Sequence, residues 1–292
     1  MAQMCMGGSK RLADALVDAA GGEIRLGVEL KQILVENHRV IGVETSECER
    51  FLAKHFVCSG LNPQQTFLDL LPEDAVPSDW LKKASGFQYN RIAPLFALNL
   101  NLKEPPRYES EGLEDAFMVI LGLDHVDQFQ DIVRHHEAGT TPPPVMWGSC
   151  PSQLDATQAP EGKHTAFMWE KLPYRTDWDD HGKHHADRML EKWTEYAPNL
   201  RDAVTETFWR SPLDVERTFP NMHRGDLLIG AFARGQVDYH RPFPGAGHYR
   251  GHLEGLYLCG SCCHPGGNVT GLPGYNCAQV LAADLGLDVG IS

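Results

Sequence analysis

LYLCGSCCHPGGNVTGLPGYNC, residues 256–277, decides how this chain is read: a hydrophobic strand runs into a glycine-rich turn and then into the start of a helix. Leu256, Tyr257, Leu258 and Cys259 supply the strand, and Cys277, Ala278, Val280, Leu281 and Ala282 suit a small-residue helix packed on a sheet. Between them, Gly260, Gly266, Gly267, Gly271 and Gly274 clear side chains from a path along which bare backbone can approach a bulky anionic ligand. The N–H groups at the start of the helix favour a phosphate or a developing anion. A tight strand-to-helix connection with no ligand is the competing reading of the same glycines.

Working outward, 292 residues with 42% hydrophobic content allow one large domain or two ordinary ones with a substantial core. A formal charge of −13 with no basic cluster argues against a general binder of nucleic acid or anionic membrane, and leaves small molecules or proteins as partners. No apolar run has the length of a membrane span, and MAQMCMGGSKRLADAL lacks the order of a secretory signal, so a cytoplasmic setting is expected. The eight cysteines are scattered, which favours reduced thiols.

The periodicity predicts a helix ending at Gly21-Gly22, then strands over Glu23–Leu26, Lys31–Glu36, Val40–Thr45 and Phe51–Ser59, with Asn37-His38-Arg39 as a turn and a short helix over Gln64–Leu71. From about residue 72 prolines punctuate a second region. Ala93–Leu102, Phe117–Leu121, Val145–Ser149 and Thr165–Trp169 read as strands of a mostly antiparallel sheet, and His184–Tyr196 as a polar helix. Gly112–Thr141 reads as a charged, partly helical insertion. After Pro220 the chain returns to the first region through Asp226–Ala233. The expected class is α/β (α+β), with residues 1–72 and 221–292 forming one discontinuous domain and 73–220 the other.

Four stretches in collinear order carry a family likeness: GGSKRLADALVDAAGGEIRLGVELKQILVENHRVIGVE (7–44), APEGKHTAFMWEKLPY (159–174), PNMHRGDLLIGAFARGQVDYHRPFPG (220–245) and GLYLCGSCCHPGGNVTGLPGYNCAQVLAADLG (255–286). Together they resemble the phytoene-desaturase-like flavoprotein oxidoreductases, relatives of the amine oxidases that bind FAD. The resemblance implies a partial FAD-binding Rossmann-like domain over 1–72 and 221–292 and a substrate-binding domain over 73–220. The family's opening strand, G-x-G-x-x-G turn and helix, which hold the FAD pyrophosphate, have no counterpart here. The chain therefore resembles the C-terminal half of the family. A fragment, or a second chain that carries the N-terminal half, are the two explanations of that.

By the same resemblance, Gly260 and Ser261 end the strand beside the pyrophosphate and ribityl chain, with Gly266 and Gly267 in the close-approach turn. Val269, Thr270, Gly271 and Leu272 offer N–H groups to the pyrimidine edge of the flavin, and Leu30 pairs its backbone with the adenine or is a plain core residue. Asn268 stands where relatives have a further glycine. His264 lies in the turn as an acid, base or polar contact, or as a histidine bonded to local backbone.

Cys259-x-x-Cys262 has no second pair to complete a metal site, and no metal is expected. His181, His184 and His185, among charged neighbours, read as a solvated helix face. Trp147, Trp169, Tyr174, Trp178, Trp193 and Trp209 suit either a substrate wall or ordinary core. The expected activity is hydride transfer from an apolar or amine-like substrate to FAD. A non-catalytic stabilising subunit derived from such a flavoprotein is the alternative.

Overall fold

The structure, a computed structural model, describes residues 4–110, 112–113 and 116–288. In chain order its main elements are α1 (Ser9–Ala20), β1 (Leu30–Glu36), β2 (Arg39–Thr45), β3 (Arg50–Leu52), β4 (Val57–Ser59), α2 (Ser78–Ser85), β5 (Leu95–Leu102), β6 (Val119–Leu121), α3 (Gln128–Ala138), β7 (Met146–Ser149), β8 (His164–Lys171), α4 (Trp178–Tyr196), α5 (Leu200–Ala203), β9 (Val204–Arg210), α6 (Pro212–Thr218), β10 (Leu256–Leu258) and α7 (Leu272–Asp284). They fall into two compact units, one of residues 25–93 and 219–292, the other of 1–24 and 94–218. The expected boundaries at 72/73 and 220/221 thus move. Residues 73–93 join the first unit, where α2 packs on the segment Gln65–Leu70, and residues 4–24 join the second, where the Gly7 N–H donates to Asp155 at 2.7 Å.

The first unit holds two small sheets. β1, β2 and β3 form an antiparallel meander, whose first turn places Asn37 and His38 at φ 48° and 63°, the left-handed pair that a two-residue hairpin needs. β4 and β10 pair in parallel, Val57 with Leu256 and Ser59 with Leu258. The single strand expected over Phe51–Ser59 is broken because its two ends serve different sheets: Phe51 pairs antiparallel with Val43, whereas Cys58 pairs parallel with Tyr257. Glu23–Leu26 forms no strand, and Leu26 is 89% exposed. Gln65–Leu70 is a π-helical turn rather than an α-helix, and it buries Phe67 and Leu70. Asp226–Ala233 is irregular. The core gathers Ile33, Val40, Phe67, Phe243, Leu253, Leu256 and Leu258 with Cys262, Cys263 and Cys277.

The second unit is a five-stranded antiparallel sheet in the order β6-β7-β8-β5-β9. Strand alternation gives it two distinct faces. Phe96, Leu98, Leu100, Met146, Ala166 and Met168 point into a core closed by Trp178, Met189 and Trp193 of α4. Glu170 shares that buried face and accepts a hydrogen bond from His185 Nε2 at 2.8 Å, so His185 faces the core and not the solvent, contrary to the reading of the histidine cluster as a solvated face. Burial raises the Glu170 carboxyl above the ordinary range, against the opposing pull of His185.

On the other face one register row crosses all five strands: Ile120, Trp147, Trp169, Ala97 and Arg210. Phe167 lies 4.7 Å from the Trp169 ring, and Trp147 meets Trp169 edge-on at 6.5 Å. The tryptophans therefore divide by role: Trp178 and Trp193 are core, while Trp147 and Trp169 line an open face.

Candidate functional site

Residues 256–277 form the strand, turn and helix expected of them. Two residues past β10 comes Gly260, where a Cβ would lie only 2.3 Å from the carbonyl oxygen of Gly60, just past β4. Glycine is required there because the two parallel strands converge backbone on backbone. Beyond that floor lies a pocket of about 300 Å³ lined by Gly60, Cys259, Gly260, Ser261, Gly266, Gly267, Val269, Thr270, Gly271, Pro273 and Gly274. Seven of the expected cofactor-contacting residues, Gly260, Ser261, Gly266, Gly267, Val269, Thr270 and Gly271, meet in it. Leu272 opens α7 just behind them, its N–H donating to Thr270 Oγ1 at 3.3 Å.

The pocket rim is held in an unusual conformation. Asn268 and Val269 both adopt left-handed φ, 72° and 59°. Asparagine tolerates this region, which explains how it stands where glycine was expected, but a β-branched valine there is strained. Val269 is also 85% exposed, so no core packing compensates the strain.

Gly271 caps the start of α7, which has Pro273 in its first turn, and the helix's partial positive charge faces the pocket. The helix is tied to the turn and to β10 by named bonds. Asn276 Nδ2 donates to the Tyr249 hydroxyl at 2.8 Å, and that hydroxyl donates to the His264 carbonyl at 2.9 Å. At the far end Arg250 grips Asp284 with two bonds of 2.8 and 2.7 Å, and Tyr257 adds a third. The Arg250 guanidinium beside Asp284 holds that carboxyl down at about 2.

Leu30 and His264 are not brought to this pocket. Leu30 begins β1 opposite Thr45, in the antiparallel meander. His264 is in the turn, half-buried, and its main chain takes the Tyr249 bond. All eight cysteines are free thiols. A hydrogen bond with Cys58 and burial raise the Cys259 thiol, and Cys262 and burial raise Cys263 well above its ordinary value, so both stay protonated and act as packing groups. Among the described residues no His, Cys, Asp or Glu cluster can hold a metal ion.

Sequence reading found no role for Arg241, within Arg-Pro-Phe-Pro. It is fully buried, and its two terminal nitrogens donate to the carbonyls of Leu228, Ile229, Gly230, Ala231, Gln236 and Ser261 at 3.1–3.4 Å. The signal was a lone arginine in an apolar, proline-bounded stretch.

The residues fit the isoalloxazine end of a flavin on structural grounds: a side-chain-free floor, a helix N-terminus aimed at it and a cation behind the wall.

No family model matches the chain. One subunit of the limonene dehydrogenase of Castellaniella defragrans is 29% identical over 99% of this chain and 56% of its own length. A rat pyridine nucleotide-disulfide oxidoreductase domain-containing protein is 30% identical over 96% of this chain and 51% of its own, and phytoene desaturases are further curated relatives. A solved putrescine oxidase shares the fold, with a TM-score of 0.57 at 11% identity over 96% of this chain and 53% of its own. Among the described residues no helix is long and apolar enough to cross a membrane. The chain spans about half the length of the curated relatives it matches, and over most of its own length its sequence is similar to those of curated dehydrogenases and phytoene desaturases.

Proposed function

We propose that this chain is the flavin-end part of an FAD-dependent oxidoreductase that takes a hydride from an apolar substrate, with the ADP part of the cofactor held by a second chain or a further segment. The observation that carries this is the pocket built on the Gly60–Gly260 close approach at the start of α7. Bound FAD supplies a two-electron acceptor. The chain's own residues orient and stabilise it. Gly260 and Ser261 lie beside the ribityl and pyrophosphate groups, and Gly266 and Gly267 allow close approach. The N–H groups around Val269, Thr270, Gly271 and Leu272, with the dipole of α7, favour the negative charge that reduction places on the pyrimidine edge. Leu30 offers its backbone to the adenine, and His264 is the acid–base or polar group of the turn.

Two further observations shape the proposal. An apolar substrate is preferred to an amine because Trp147, Phe167 and Trp169 line an open sheet face, and because the relatives' names specify limonene and phytoene. A partner or further segment is supported by β4. In a parallel strand alternate peptide groups face opposite neighbours, so with Val57 and Ser59 bonded towards β10 the peptide groups of Cys58 face the other edge. The limonene dehydrogenase relative is by its name one subunit of its enzyme, which fits a divided architecture.

The test is co-expression with a polypeptide that carries a strand followed by G-x-G-x-x-G. A yellow complex with a flavin absorption spectrum is expected. A colourless complex that takes up no FAD on addition refutes the proposal.

A further inference from the structure

Arg241 puts a full positive charge in the protein interior, directly behind the pocket. The loop 228–236 wraps it with carbonyl oxygens, and the Ser261 carbonyl joins them from the glycine-rich turn at 3.2 Å. Its Cζ sits 4.5 Å over the Phe232 ring. Carbonyl dipoles stabilise a buried guanidinium without neutralising it. Among the described residues no carboxylate forms an ion pair with it. Asp226, which acts on it from a distance, is engaged by the N–H groups of Asn90, Leu228 and Gly230.

One donor is left over. Arg241 Nε is buried and has no hydrogen-bond partner among the described residues. It lies 3.7 Å from the position a Cβ would take on Gly266, and Phe232 Cζ lies 2.8 Å from that position. Gly266 and Ser261 both line the pocket, so this unused N–H and its charge stand one layer behind the wall. An arginine stays charged at all accessible pH values, and in a low-dielectric surrounding its field reaches across such a layer.

We propose that Arg241 is the positioning residue of this pocket: its guanidinium fixes the 228–236 loop and Ser261 by their carbonyls, and its charge, ion-paired to no carboxylate among the described residues, favours an anionic ligand group lying on Gly266 and Gly267. The inference rests on the flavin reading above. The anion is either the reduced flavin ring or the pyrophosphate, and the experiment separates the two.

The full chain, with any chain that copurifies, is compared with Arg241→Gln and Arg241→Lys. Binding of FAD, riboflavin and ADP is titrated, and the midpoint potential of bound flavin is measured. Arg241→Gln is expected to weaken the reduced flavin at least tenfold relative to the oxidised form, a fall of about 30 mV for a two-electron couple, or to weaken ADP at least tenfold if the anion is the pyrophosphate. Arg241→Lys, which keeps the charge, preserves the affected quantity. If Arg241→Gln does not fold, the unaltered protein still decides. Its reduced flavin must keep the anionic spectrum at a pH at least one unit below that at which free reduced flavin protonates, or ADP must bind with a steep loss in salt. Neither property in the unaltered protein, or flavin and ADP binding untouched by Arg241→Gln, overturns the inference and leaves the flavin reading standing. Failure of the unaltered protein to bind FAD, riboflavin or ADP even when co-expressed with a polypeptide that carries the strand and G-x-G-x-x-G turn overturns the flavin reading itself.

Discussion

Replacing Gly260 with alanine sets one new methyl group against one backbone carbonyl. The new Cβ would sit 2.3 Å from Gly60 O and 2.7 Å from Gly60 C, where an ordinary contact is 3.4–4 Å. One of the two strands must then retreat by roughly an ångström, and neither is free to do so. β4 and β10 are hydrogen-bonded to each other, and Cys259 N–H donates to Ser59 O at 2.9 Å. Overpacking of a rigid site costs about 1–3 kcal/mol, and a fixed carbonyl puts this substitution at the upper end. For a unit of this size each kcal/mol moves the melting temperature by roughly 2–4 °C, so a fall of about 6–12 °C is expected.

Two companion substitutions separate crowding from backbone effects. Gly271→Ala meets nothing within 4 Å but must hold φ at 68°, a cost of about 1–2 kcal/mol. Gly274→Ala meets nothing, lies inside α7 and gains about 0.5–1 kcal/mol of helix stability. Thermal unfolding followed by circular dichroism orders the three. If Gly260→Ala melts with the unaltered chain, or Gly274→Ala falls as far as Gly260→Ala, the convergence of β4 and β10 at the pocket floor is wrong.

Trp178→Ala is expected to destabilise its unit by about 3–5 kcal/mol in urea titration, because the side chain is 1% exposed. Trp169→Ala, on the open face, should cost far less stability and instead weaken binding of an apolar substrate; equal unfolding midpoints for the two would contradict the division of the sheet faces. Acid unfolding should draw on Glu44, held at about 2 by hydrogen bonds from Lys31 and then Arg50. Its folded value lies below its unfolded one, so its contribution is complete above pH 4.5 and is lost as pH falls towards 2. Salt should shrink that contribution, since Lys31 and Arg50 are exposed, and Glu44→Gln should flatten the slope over that window; an unchanged slope removes Glu44 from the account.

The elements legible in the sequence were those whose partners lie close by. The hairpin at Asn37–His38, the alternation of β5 and β8 and the strand, turn and helix at 256–277 all announce themselves through local pattern. What escaped depended on distant neighbours. Phe51–Ser59 looks like one strand until β2 and β10 claim its two ends. His185 reads as a surface charge until Glu170, on a strand 15 residues earlier, meets it in the core. Periodicity could not sort Trp169 from Trp178, because both stand in amphipathic segments and only the placement of α4 decides which face is covered. Arg241 escaped because its role is written in six carbonyls, and carbonyls leave no mark on a sequence.

The parallel pairing of β4 with β10 also sets a timetable. Ser59 and Cys259 are 200 residues apart, and the sheet they build cannot close until the ribosome has released the later strand. By then residues 94–218, whose five strands pair among themselves, are already available to fold as a unit. The nascent chain therefore carries the first half of the pocket floor unpaired, with the edge of β4 exposed, while the 200 residues between the two strands are made. That interval is when a chaperone or an assembling partner has its clearest access to β4.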